Sequence, residues 1–229
     1  MANLIPKSAF NSGFIVVGEQ HRKPRSHALV QRIIRHALSK GRCVAFALEV
    51  TGSAQGHWRR AGGEFDAISP INISPTHDSQ SLRALMTRLS EWSQDECLTL
   101  HAIDDPKDGS IDVRDRDLYM AQRLDKIAAD DVLVIALVGN LHAVRQLPWD
   151  DTVINPKPPM TSRLEQGGAL PFVVLQDWVD RPERRVYRRD SPAARRAIDH
   201  LLSAASVYPS YRFLRYADLL IQWPKDAPE

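Results

Sequence analysis

The sequence holds only two cysteines, Cys43 and Cys97. Both lie in or beside apolar runs, which reads as a reduced chain with buried thiols and not as a disulfide scaffold. An excess of one charge is missing too. Thirty Lys and Arg stand against 28 Asp and Glu, and the net charge of +2 is too small to draw the chain to nucleic acid or an anionic membrane. No run approaches the roughly 20 apolar residues of a membrane helix. The opening Met-Ala-Asn-Leu-Ile-Pro-Lys lacks the apolar core of a signal peptide, so the expected location is the cytoplasm. Internal repeats and low-complexity tracts are absent as well.

What is present is a chain of 229 residues, 43% hydrophobic, long enough to bury a continuous core without metals or disulfides. Residues 14–17 form a β-branched run that ends at Gly18, the pattern of a buried strand. From Pro24, Leu29, Ile33, Ile34 and Leu38 recur at helical spacing until Gly41, and residues 43–48 follow as a second strand. Strand, helix and strand in this order make a βαβ unit with parallel strands and a right-handed crossover. Residues 52–77 lose the rhythm and read as a long loop, a lid or pocket wall. A helix through Leu82, Leu85, Met86 and Leu89, a strand at 98–103, a helix over 111–129 and a strand at 132–138 follow. Pro156, Pro158 and Pro159 mark a loop, after which strands at 171–175 and 217–221 flank a helix over 192–204. The expectation is a single α/β domain over 1–229 with a mostly parallel central sheet flanked by helices. Its chemical motifs lie within 13–145, and 146–229 is a C-terminal elaboration.

Open parallel sheets bind ligands at the carboxyl ends of their strands. The first strand leads into Gly18-Glu19-Gln20-His21, the second into Glu49, the third into Asp104-Asp105 and the fourth into Gly139-Asn140-Leu141-His142. Glu19, His21, Glu49 and His142 are therefore the candidate catalytic residues. His21, Glu49 and His142 form a two-histidine, one-carboxylate set that suits a divalent ion such as zinc or manganese with a position left for water, and Glu19 would then accept a proton. Without a metal, the same groups would serve as general bases. The glycines at 18 and 139 are expected to let the backbone turn sharply and approach a ligand. Singly, His21 reads equally as a helix cap and Glu49 as a buried ion-pair partner. Together the motifs point to a site.

The pattern Val17-Gly18-Glu19-Gln20-His21, Ala47-Leu48-Glu49, Arg114-Asp115-Arg116-Asp117 with Met120-Ala121, and Val138-Gly139-Asn140-Leu141-His142 resembles the erythromycin esterase/ChaN-like superfamily over about residues 13–145. That grouping includes the TIKI/TraB proteins and haem-associated ChaN-type lipoproteins. The resemblance implies a metal-dependent peptidase of TIKI type through His21, His142 and Glu49, or a metal-free esterase through Glu19 and His21. It also implies, as alternatives, a haem- or iron-binding protein or a non-catalytic partner in a biosynthetic pathway. The leading expectation is a hydrolase of amide, peptide or ester bonds acting on a small molecule or peptide.

Arg114 and Asp117, three apart, read either as a local ion pair or as groups that bind substrate. His57 reads as a substrate contact, whereas a Trp such as the adjacent Trp58 more often anchors a loop. His27 is either a partner of the site or a helix-surface histidine, and His101 is structural. Arg181, Arg184, Arg185, Arg188 and Arg189, interspersed with Asp180, Glu183 and Asp190, read as a solvated face before a nucleic-acid site.

Overall fold

The structure is a computed structural model that describes residues 4–104, 115–128, 132–146, 157–188, 190–202 and 215–225. Its elements follow from β1 (Phe14–Glu19) through α1 (Pro24–Leu38), β2 (Val44–Thr51), α2 (Gln55–Arg60), α3 (Phe65–Ile68), α4 (Gln80–Asp95) and β3 (Leu98–Asp104). They continue with α5 (Arg116–Ala128), β4 (Leu133–Gly139), α6 (Asn140–Ala143), α7 (Met160–Gln166), β5 (Phe172–Val179), β6 (Arg185–Tyr187), α8 (Pro192–Leu202) and β7 (Leu219–Pro224). The strands form one seven-stranded sheet in the order β3-β2-β4-β1-β5-β7-β6. Every pairing is parallel except that of β6 with β7. The chain is thus α/β, with a mostly parallel central sheet flanked by helices.

The central strands are buried on both faces, which is why they read as continuous apolar runs. Ile15, Val17, Phe46, Leu48, Ile135 and Leu137 pack with α1 and α4 on one face. Val16, Ala45, Ala47, Val134, Ala136 and Val138 pack with α5, α7 and α8 on the other. Each fully buried Ile, Leu or Val side chain contributes about 1.5–3 kcal/mol by leaving water. Among the described residues no helix is long and apolar enough to cross a membrane.

Four expectations change. The segment 52–77 is not a bare loop but holds a 3-10 turn (Gly52–Ala54), α2 and α3. Elements of three to six residues are too short to display a helical period, so the hydrophobic pattern cannot reveal them. Trp58 anchors the segment, fully buried, with its Nε1 donating to the Met86 carbonyl at 3.0 Å. Arg83 clasps it from α4, donating to the carbonyls of Ile68, Ser69 and Ile71 and to Asp78. Second, α7 and β6 arise where sequence shows only loop and charge. Third, β2 runs on to Thr51, so Glu49 belongs to the strand, next to a register shift against β3.

Fourth, Cys43 and Cys97 form a disulfide, with Cα atoms 4.7 Å apart. The reduced-thiol reading fails because each cysteine directly precedes one of two paired strands. Val44 stands opposite Leu98, which brings the preceding residues face to face. Sequence separation hides that juxtaposition; only the strand register creates it.

Candidate functional site

The chain leaves β1 for β2, on the β4 side of the sheet, and leaves β4 for β5, on the β1 side. Adjacent strands with connections departing in opposite directions open a crevice at their carboxyl ends. In this crevice Glu19 is in register with Gly139, so the two Gly-x-x-His segments meet.

Glu49 is the centre. Its carboxylate is buried and accepts hydrogen bonds from Arg116 Nη2 and from the Gly139 amide, each at 2.6 Å. Arg116 also grips Asp104 at 2.5 and 2.8 Å, so one guanidinium bridges the ends of β2 and β3. Burial opposes its charge, but Asp104 and Glu49 overcome that and keep it firmly protonated.

Three histidines surround Glu49, and each is held by its Nδ1. His21 Nδ1 lies 3.1 Å from Glu19 Oε1, and His142 Nδ1 lies 2.9 Å from Asp117 Oδ1. His77 Nδ1 lies 3.3 Å from the Glu49 carbonyl oxygen. Carboxylates and carbonyls only accept, so Nδ1 donates in all three. In a neutral ring this leaves Nε2 as a lone-pair donor directed by its partner, the arrangement that prepares histidine for a metal. His77 Nε2 is 3.9 Å and His142 Nε2 3.4 Å from Glu49 Oε1. His21 and His77 stack with ring centroids 3.7 Å apart. One ligand atom from each of His21, Glu49 and His77 falls within 4.8 Å of the others, so these residues could hold a metal ion.

Two of these histidines, His77 and His142, differ electrostatically. Burial pulls His77 below the usual imidazole range, and the attraction of Glu49 does not offset it. Burial pulls His142 the same way, but the hydrogen bond to Asp117 and the charges of Glu49 and Asp117 push it above the usual range. The neutral form is therefore favoured at His77 and the protonated form at His142.

Glu19 is also engaged. Burial would raise its carboxyl, but the contacts with His21 and His27 outweigh burial and hold it below the usual range. His27, buried on α1, approaches Glu19 Oε2 at 3.4 Å, an electrostatic contact longer than a good hydrogen bond, and its Nδ1 lies 2.9 Å from Ser81 Oγ. The anticipated proton acceptor is thus suspended between two imidazoles and orients His21.

The glycines serve approach and not turning. Neither has positive φ. A Cβ on Gly18 would lie 2.5 Å from Asn140 Oδ1 and 2.9 Å from the Ala143 Cβ, and one on Gly139 would lie 3.1 Å from His21 Nε2. The sharp turn falls instead at Arg22, with φ 66°, directly after His21. Such a conformation costs an ordinary residue about 1–2 kcal/mol.

Of the residues singled out by sequence, Glu19, His21, Glu49, His142 and Asp117 come together. His57 lies exposed on α2, and among the described residues no hydrogen bond or ion pair joins it to them. Arg114 lies outside the described residues. Among the described residues it is Arg116, at the start of α5, that reaches Glu49. His77 escaped notice inside an unreadable segment, and nothing in its local pattern marks it. A cavity of about 330 Å³ adjoins the cluster, lined by Glu19, Gln20, His21, Asn140 and His142 among others, with exposed Leu141 on its wall.

No family model matches the chain, and no curated relative matches it. Solved structures do. The fold superposes on ChaN of Campylobacter jejuni, for which cofacial haem binding is described, with a TM-score of 0.52 at 10% identity, over 93% of this chain and 88% of that one. It superposes on a protein from Bacillus cereus with a TM-score of 0.58 at 8% identity, over 95% and 90% of the two chains. The type III effector HopBA1 gives a TM-score of 0.50 at 14% identity, over 94% and 89%. The shared property is the fold, which is ChaN-like.

Proposed function

We propose that the chain is a hydrolase of amide, peptide or ester bonds in a small molecule or peptide, assisted by a divalent ion held by His21, Glu49 and His77. The observation that carries this reading is the convergence of one ligand atom from each of these residues, from three separate stretches of chain, within 4.8 Å. The donor set fits, since both histidines are oriented through Nδ1 and the neutral form is favoured at His77. A bound zinc or manganese ion would supply Lewis acidity to water and carbonyl oxygen.

In this reading the chain's own groups divide the remaining work. His142, pushed above the usual imidazole range, delivers a proton to the leaving atom from Nε2. Arg116, with Nη1 3.5 Å from His142 Nε2, lies where it stabilises negative charge that develops on the substrate. Glu19 positions His21 and, held in its carboxylate form, is the group that accepts the proton given up by the attacking water. The motifs at 17–21, 47–49 and 138–142, together with the ChaN-like fold, support membership of the erythromycin esterase/ChaN-like superfamily.

Metal analysis of the purified protein tests the reading together with the His77→Ala variant. The expected result is about one zinc or manganese per chain, lost in the variant together with turnover of model esters and peptides. Metal content and turnover unchanged by His77→Ala would sink it. A second reading, haem binding in the same cleft, is favoured by His142 and exposed Leu141 side by side on its wall. Haem titration distinguishes the two, because a Soret shift lost in His142→Ala belongs only to the second.

A further inference from the structure

A second cavity, of about 410 Å³, lies between β5, β6, β7 and α8. Arg181 lines it from the loop after β5, Arg185 from β6 and Arg196 from α8. Sequence assigns the first two of these to a solvated basic face. Their neighbours are committed elsewhere: Arg184 lies 5.8 Å over the Trp223 ring, Arg188 donates to the Leu4 carbonyl, and Arg195 pairs with Asp190. Among the described residues Arg181, Arg185 and Arg196 have no ion pair.

Among the described residues the wall offers them one carboxylate, Asp180. The nearby Asp177 is buried and already accepts from Trp178 N at 2.9 Å, Gln222 at 3.0 Å and Gln20 at 3.2 Å, with His200 Nδ1 2.8 Å away. Three guanidinium groups against one carboxylate make this described wall positive, which favours an anion that enters. Guanidinium forks arriving from three elements match the oxygens of phosphate, which accept several charge-assisted hydrogen bonds at once. The volume exceeds that of a bare phosphate and leaves space for the group that carries it.

We propose that this cavity binds a small phosphate-bearing molecule, with the phosphate gripped by Arg181, Arg185 and Arg196. The inference is independent of the hydrolase reading: it uses none of the residues of the His/Glu cleft. The two cavities are neighbours nonetheless. Leu201 and Leu202 of α8 line the cleft, Arg196 and His200 line the arginine cavity, and Gln20 reaches from the cleft to Asp177.

Calorimetric titration with inorganic pyrophosphate, in the presence of a chelator and about 0.15 M salt to suppress weak surface pairing, tests it. The expected result is saturable one-to-one binding, weakened about tenfold by Arg185→Ala or Arg196→Ala and abolished by the double variant. His142→Ala should bind as the wild type does. Both arginines are exposed, so the variants should keep the wild-type circular dichroism. Three outcomes overturn the proposal: no saturable binding by the wild type, undiminished binding by the double variant, or binding lost in His142→Ala, which would locate the anion in the cleft.

Discussion

His142 and His77 touch the same carboxylate and are driven in opposite directions, and the difference lies in what each Nδ1 faces. Asp117 supplies a full negative charge to His142, whereas His77 has only a backbone carbonyl. A histidine whose folded pKa exceeds its unfolded value, about 6.5, contributes stability in full below that value and loses it as pH rises through the folded pKa. Asp117→Asn should therefore lower the His142 pKa, read by NMR titration of the ring in metal-free protein, and remove stability chiefly on the acidic side. An unchanged midpoint would show that Asp117 is not the cause. The two glycines separate packing from chemistry. Gly18→Ala drives a methyl into Asn140 and Ala143 and should cost about 1–3 kcal/mol in urea unfolding. The atoms nearest a Gly139→Ala methyl are side-chain atoms of His21 and Glu49, so on the proposed reading metal affinity should fall well before stability does. Both glycines stand out in the sequence as strand ends. Their physical purpose, room for Asn140 and for His21, is legible only once β1 and β4 lie side by side.

At the scale of elements, the long periodic segments were readable and the short ones were not. α1 starts at Pro24 as the sequence indicates, because proline suits the first helical turn and the apolar residues that follow repeat at the right spacing. The segment 52–77 has no such repeat, yet it delivers His77 to the site. Its order depends on Trp58 and Arg83 and not on its own propensity. Trp58→Ala, which empties a fully buried site, should cost about 3–5 kcal/mol. It should also weaken metal binding more than a surface variant of equal stability does, measured by competition with a chromogenic chelator. Equal losses would mean that Trp58 does not position His77. The same logic explains Arg116. It stands in the run Arg114-Asp115-Arg116-Asp117, but that it faces Glu49 and Asp104 is decided by the packing of α5 on the ends of β2 and β3.

Across the whole molecule, the Cys43–Cys97 disulfide closes 54 residues of chain and ties β3, at the edge of the sheet, to β2. A loop of that length restricts the unfolded chain by about 4 kcal/mol in the chain-entropy model. Cys97→Ser should lower the unfolding midpoint accordingly, and reduction of the wild type should reproduce the effect. Identical midpoints for oxidised and reduced protein would refute this. Sequence by itself determined the α/β class, the parallel β1–α1–β2 unit, and the strand ends near which Glu19, His21 and His142 lie, while the true end of β2, beyond Glu49, came from the structure. Apolar runs, helical periods and glycine stops are local signals, written within a few residues of the feature they encode. Tertiary structure alone decided that His77 joins His21 around Glu49, that Arg116 bridges Glu49 to Asp104, that the cysteines meet, and that three arginines from separate elements share one cavity. Each of these depends on strand order and register, which bring together residues that no local pattern relates.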